Sequence, residues 1–223
     1  MPNGQTHYSQ ASLLLSGRKE SQMAQKTLRF RITGETLLMH NGQLADPLNE
    51  WAKAMKKVSS KRTKTDADHE ELARLEWCGG LYLHEGRPCV PAECLAAALT
   101  EGAKVKRLGK ETKRSLFVPG VCMLHFAGEE DWDGSEEAAR RAWDSGVYTH
   151  RHMVKVKMNR VARTRPIFRD WWVEFDLEYD DARLNETEVR EIVQLAGQNG
   201  LMDWRPRYGR FDAEMLKPKL ELA

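Results

Sequence analysis

The chain has 223 residues, enough for one domain of ordinary to large size or two small ones, and either can bury a self-sufficient core. Hydrophobic residues make up 41% of it and charged residues 30%, yet the formal charge is only +2, so net charge neither identifies nor excludes an anionic partner. Cys78, Cys89, Cys94 and Cys122 form no CxxC pair and do not alternate with histidines at zinc-ligand spacing, and no apolar run approaches the ~18 residues of a membrane span. The expectation is a cytoplasmic protein with core thiols and with no metal, cofactor or membrane partner.

Residues 1–22 are polar and mixed, and Met23 precedes a run that reads as a fresh protein start. They are expected to be a disordered extension ahead of a single domain, residues 23–223. In TLRFRITG, Leu28, Phe30 and Ile32 alternate with Arg29, Arg31 and Thr33, and a period of two predicts a half-buried strand. DPLNEWAKAMKKV carries Leu48, Trp51, Ala52 and Met55 at helical spacing, with Asp46 as the expected cap and Pro47 in the first turn. A polar, basic loop follows, then DADHEELARLEWCGG, a second helix ended by glycine. LYLHEGRPCVP predicts a hairpin turning at Glu85 and Gly86. PAECLAAALTEGAKVK, with Leu95, Ala98 and Leu99 among small residues, predicts a helix packed closely on a sheet.

KVKRLGKETKR then reads as another basic loop, and SLFVPGVCMLHF as a strand pair or one bent strand. AGEEDWDGSEEAARRAWDSG is an acidic insertion with a short helical section. From Val147 to Phe168 apolar and basic residues alternate, as in a hairpin turning at Asn159. DWWVEFDLEYD places Trp172, Glu174, Asp176 and Glu178 on one face of a strand and Val173, Phe175, Leu177 and Tyr179 on the other. NETEVREIVQLAGQNG is an amphipathic helix with Asn185 as cap and Glu188 three residues on, and a last strand follows GLMDWRPRYGRF. These pieces, with insertions at about residues 40–78 and 127–146, predict an α+β fold with a mainly antiparallel sheet. A ferredoxin-like (RRM-type) βαββαβ core with inserted basic and acidic loops is the most economical arrangement.

Positive charge is unevenly spread. Between Ser145 and Arg169 there is no Asp or Glu, while Arg151, Lys155, Lys157, Arg160, Arg163, Arg165 and Arg169 are present with His150 and His152 beside them. On a hairpin, Lys155, Lys157 and Asn159 are expected to share a face, and such a stripe can follow a nucleic-acid backbone by releasing condensed counterions. The competing reading is a solvated face whose arginines pair with the acidic insertion. Two further runs contain Lys56, Lys57, Lys61 and Arg62, and Lys104, Lys106 and Arg107. Singly each is a solvated surface, but together their repulsion is easiest to tolerate with an anion between them.

The segment GLMDWRPRYGRF allows three readings: a buried aromatic corner, a phosphate cradle, or an interface with another copy of the chain. Gly200 and Gly209 permit positive φ and close approach, which would expose amide donors to phosphate oxygens. Arg205, Arg207 and Arg210 can fork onto phosphates, and Trp204 and Tyr208 offer stacking surfaces for unpaired bases. Alternatively Trp204 and Tyr208 belong to the core and the arginines lie over them. Trp171 or Trp172 is a further platform or, more simply, a buried sheet residue.

Gly86, Pro88, Pro91, Leu95, Ala97 and Ala98 in GRPCVPAECLAAALTEGAK are similar to a segment of the RAMP superfamily, the repeat-associated proteins that form the backbone of CRISPR effector complexes. Where that family usually has a glycine and serines, this chain has Ala92, Glu93 and Cys94. Gly200 and Gly209 resemble the glycine-rich loop near the end of such proteins, and ADPLN the region where nuclease members carry an aspartate. The resemblance implies a modified RNA-recognition-type fold, single-stranded nucleic acid as ligand and head-to-tail assembly along it, here as a phage or mobile-element version. It also implies His40 or Asp46 as candidates for ribonuclease chemistry.

The expected function is therefore largely sequence-independent binding of single-stranded RNA or DNA by a homo-oligomer or a subunit of a larger complex. A protein–protein module acting on a host or phage partner through the acidic stretch, and a RAMP-like endoribonuclease, are the alternatives.

Overall fold

A computed structural model describes residues 25–217, and the extension expected at residues 1–22 lies outside them. β1 (Gln25–Leu38) keeps the predicted alternation, with Phe30 and Ile32 buried and Arg29 and Arg31 on the opposite face. A 3-10 turn at Gly42–Ala45 leads to α1 (Glu50–Ser59) and α2 (Asp66–Gly80). Asn49, not Asp46, caps α1: its side chain accepts from the Ala52 amide. Asp46 Oδ1 accepts instead from Leu48 N at 2.8 Å, a local turn that keeps Pro47 outside the helix.

β2 (Leu83–His84) and β3 (Arg87–Val90) form the hairpin expected at Glu85 and Gly86, whose φ values of 51° and 76° suit a type I′ turn. α3 (Ala92–Lys104) follows. The basic stretch after it is largely not a loop, because α4 (Gly109–Ser115) buries Thr112 and Ser115 and leaves Lys110, Lys113 and Arg114 in solvent. SLFVPGVCMLHF divides between two sheets: β4 (Leu116–Phe117) and β5 (Cys122–Met123) have different partners. α5 (Glu136–Ser145) is the helical part of the acidic insertion. β6 (Thr149–Val156) and β7 (Asn159–Asp180) make a long hairpin, α6 (Glu186–Asn199) carries the expected Asn185 and Glu188 capping box, and β8 (Asp212–Leu216) follows.

The fold is α+β, and every strand pairing described is antiparallel. The main sheet has the order β4-β7-β1-β8, with β6 continuing along β7, and β2-β3-β5 form a smaller sheet. Phe30, Ile32, Val173, Phe175 and Leu177 join Leu95 and Leu99 of α3 and Val189, Ile192 and Val193 of α6 in one core. Trp77, Phe126, Trp132, Tyr148 and Phe168 bind α2 and the acidic insertion to the sheet, with Trp77 Nε1 donating to the Tyr148 carbonyl at 2.8 Å. Among the described residues, no helix is long and apolar enough to cross a membrane.

Candidate nucleic-acid interface

The β6–β7 hairpin turns at Lys157 and Met158, with Val156 opposite Asn159 and Lys157 at φ 54°. Asn159 therefore belongs to β7 and Lys157 to the turn, so the expected stripe of Lys155, Lys157 and Asn159 does not form. Directly opposed residues share a face. Lys155 lies opposite Arg160 and Arg151 opposite Thr164, whereas His152 faces Arg163 and His150 faces Arg165. Arg151, Lys155 and Arg160 consequently occupy one side, beside Asp66, His69 and Glu70 of α2 at Arg151. His150, His152, Arg163 and Arg165 occupy the other.

On that second side the two arginines are already paired. The Arg165 side chain is 7% exposed; its Nη1 donates to Glu76 Oε1 at 2.7 Å and its Nε to Asp203 Oδ2 at 2.8 Å. Glu76 also accepts from Thr164 N at 2.8 Å and from Arg163 Nη1 at 3.3 Å. These hydrogen bonds offset the cost of burying the Glu76 carboxyl group. Arg165 is thus a buried tie between α2 and the closing loop and cannot reach a phosphate. Its partners are Glu76 and Asp203, not the acidic insertion, where Glu129 meets His125 and Asp133 meets Arg141.

The closing loop is folded by its two glycines. Gly200 and Gly209 have φ of 84° and 76°, and a Cβ on Gly209 would collide with the Leu201 carbonyl oxygen. Their amides are not presented to solvent as the sequence led us to expect. Gly200 N donates to Ala196 O at 2.9 Å and Gly209 N to Thr36 O at 2.8 Å, while Asp203 N reaches Leu38 O at 3.1 Å. These bonds fasten the loop to the end of β1 and set Asp203 against Arg165.

The same anchoring aims Trp204 and Tyr208 at the hairpin. His150 lies 5.7 Å from Trp204 and 5.4 Å from Tyr208, and His152 lies 5.9 Å from Trp204, measured between ring centroids. Tyr208 Oη is 3.3 Å from His150 Nε2, and Arg165 Cζ stands 5.7 Å from the Trp204 ring. Trp204 and Tyr208 are half-buried, while Arg205, Arg207 and Arg210 are exposed, with Arg207 Cζ 5.7 Å from the Tyr208 ring. Burial, then the charges of His152, Arg207 and Arg169, push the His150 imidazole below its usual pKa. His40 is lowered too, first by burial and then by Arg165, and its Nδ1 is buried without a hydrogen-bond partner among the described residues. Asp46 is exposed and held in its own turn, and no described contact joins it to His40.

The other candidates lie elsewhere. Lys56 and Lys57 are on the last turn of α1, Lys61 pairs with Asp68 at 2.5 Å, and Arg62 is in the loop that follows. Lys104 pairs with Glu101 at 2.5 Å, and Glu101 lines a pocket with Trp204, Arg205 and Pro206 of the closing loop, while Lys106 pairs with Glu191 of α6 at 3.1 Å. Cys94, in the first turn of α3, also feels the charge of Arg205. Arg107 is exposed just after α3. Lys61, Lys104 and Lys106 are thus each already paired with a carboxylate.

The open face of the sheet is also unsuited to phosphate. Arg29 and Arg31 donate to Glu174 at 2.6 and 3.1 Å, and Asp176, Glu178, Asp212 and Glu214 share that face. Trp172 is covered by His125, stacked at 3.8 Å, and by Arg31, while Trp171 is fully buried. Burial pushes the Cys89 and Cys122 thiols up to about 11, which keeps them protonated. No protein-family model matches the chain, and no curated protein sequence matches it.

Proposed function

We propose that the protein binds single-stranded RNA or DNA, largely independently of sequence, at the corner where the closing loop meets the inner side of the β6–β7 hairpin. The observation that carries this reading is the ring cluster of His150, His152, Trp204 and Tyr208, with contacts of 5.4 to 6.4 Å, beside the exposed guanidiniums of Arg205, Arg207 and Arg210. Aromatic stacking is tolerant of base identity and contributes ~1–3 kcal/mol per base. Exposed arginines supply the phosphate contacts.

A ferredoxin-like core is supported by the order β4-β7-β1-β8. α3 lies between β1 and β4, and α6 between β7 and β8; each of these strand pairs is separated in the sheet by one other strand, as in two interleaved βαβ units. RAMP kinship, head-to-tail loading on a strand and a phage or mobile-element origin extend the same reading. A cytoplasmic setting is supported by the four free thiols.

Filter binding of a mixed-sequence oligonucleotide across a salt series tests the proposal. With two to four phosphate contacts at the corner, the slope of log affinity on log salt is about −1.4 to −2.8. Trp204→Ala weakens binding about tenfold and Trp204→Phe much less. No saturable binding at low salt, or an unchanged Kd in Trp204→Ala, overturns it.

A further inference from the structure

Where β8 begins, the chain arrives from α6 at the edge of β1, and a cavity of about 740 Å³ opens there. That volume lies within the ~300–1,000 Å³ of small-ligand sites. Its walls carry Glu35, Asp212, Arg207, Arg210, Gln194 and Gln198. A Cβ on Gly34 or on Gly197 would collide with the backbone of Arg210 or Phe211, so two close backbone approaches shape the cleft. Arg207 belongs to both places: it lines the cavity and its guanidinium lies beside Tyr208 of the aromatic corner.

The charges of this cavity are hydrated and open to a ligand. Among the described residues, Glu35, Asp212, Arg207 and Arg210 form no ion pair, although all four are exposed in one cleft. A phosphate alone would answer only the arginines, and an amine only the carboxylates. A ligand that answers both carries an anion and a group that donates N–H to a carboxylate, and within the strand proposed above only a nucleobase supplies the second.

Guanine meets that requirement. Its N1–H and N2–H are neighbouring donors on one edge, the pattern a carboxylate accepts with both oxygens, and its O6 accepts from a glutamine amide. Adenine and cytosine set a donor beside an acceptor, and uracil sets one donor between two acceptors. Gln194 and Gln198, one helical turn apart on α6, supply the amides. We propose that the cleft is a guanine subsite, with the base edge on Glu35 or Asp212 and the phosphate on Arg207 and Arg210, and that its guanine is one nucleotide of the bound strand. This rests on the single-strand reading above. A free guanine mononucleotide offers the same chemistry from a second source.

The test measures Kd by fluorescence anisotropy for a labelled oligouridine and for the same strand with scattered guanosines, with GMP titrated separately by calorimetry. The expected result is about tenfold tighter binding of the guanosine-bearing strand, the discrimination of one good bidentate contact. The ratio falls to about one in Glu35→Gln/Asp212→Asn, whose exposed positions leave the melting temperature in place, and survives in Trp204→Ala, where both strands weaken together. Equal affinity for the two strands in the wild type, or a ratio that persists in the double variant, overturns the subsite. GMP binding as tightly as the strand, and lost in the double variant, overturns the strand assignment in favour of the mononucleotide. If GMP alone binds and neither strand does, the single-strand reading fails while the cleft's chemistry stands.

Discussion

Glu76→Ala removes the acceptor on which the hairpin, α2 and the closing loop converge. Three donors lose their partner: the Arg165 Nη1 at 2.7 Å, the Thr164 amide at 2.8 Å and the Arg163 Nη1 at 3.3 Å. Arg165 keeps Asp203 on its Nε and the Thr164 carbonyl on its Nη1 but loses its nearer carboxylate, and its side chain is only 7% exposed, so water cannot replace what is lost. Breaking a buried pair by removing one partner costs ~3–5 kcal/mol, a range that already includes much of the ~1–3 kcal/mol for an orphaned buried amide. For a chain of this size each kcal/mol moves the midpoint by ~2–4 °C, giving a fall of about 6–20 °C in a circular-dichroism melt. Glu76→Leu/Arg165→Met recovers part of that loss, because apolar replacements of similar size remove the stranded charge, while the Thr164 amide stays without its acceptor and Asp203 loses Arg165. A Glu76→Ala midpoint within ~2 °C of the wild type, or a double variant less stable than the single one, refutes the reasoning.

Gly209→Ala costs about 2–4 kcal/mol, because it adds a collision with Leu201 to an unfavourable φ, whereas Gly120→Ala, at φ 73° with no heavy atom within 4 Å of the built Cβ, costs about 1 kcal/mol; paired urea melts compare them. His40 and His150 have pKa values lowered from 6.5, so the folded state disfavours their protonation. Their contribution to stability is full above the ordinary imidazole pKa and is lost as pH falls from there toward the lowered values, a loss that His40→Gln reduces in melts at graded pH. Strand affinity moves the opposite way, rising as pH falls from about 8 to about 6, because a phosphate beside His150 favours the imidazolium. Arg205→Ala/Arg207→Ala flattens the salt slope by about 1.4, while Lys104→Ala/Lys106→Ala, whose ammonium groups are already paired with Glu101 and Glu191, leaves it within about 0.3.

The elements that could be read in the sequence are those whose signal is local. The alternation in β1 and β7, the Glu85 and Gly86 turn, and the Asn185 and Glu188 capping box each lie within a few residues, and the structure keeps all three. The α1 cap was misplaced because Asp46 and Asn49 both precede the apolar run and composition does not choose between them. A one-residue difference in the hairpin turn was enough to dissolve the predicted stripe, since strand faces alternate at every position. What fixes the corner is long-range. Nothing near Arg165 in the chain shows that Glu76, 89 residues earlier, neutralises it. A signal was present in retrospect, for Glu76 stands between Leu75 and Trp77 in a buried stretch of α2, where a carboxylate persists only with partners. The glycines of the closing loop stand out in the sequence, but whether they open the backbone to a ligand or fasten it depends on Thr36 and Ala196, which lie outside the motif.

The site of strand contact is tested most directly by photocrosslinking a thiouridine-bearing single strand to the full chain and mapping the adducts by mass spectrometry. The account predicts adducts on the peptides containing His150 to His152 and Trp204 to Tyr208, suppressed by unlabelled strand and by high salt. Adducts confined to the basic ends of α1 and α3 or to the open sheet face, or none at low salt, would contradict it.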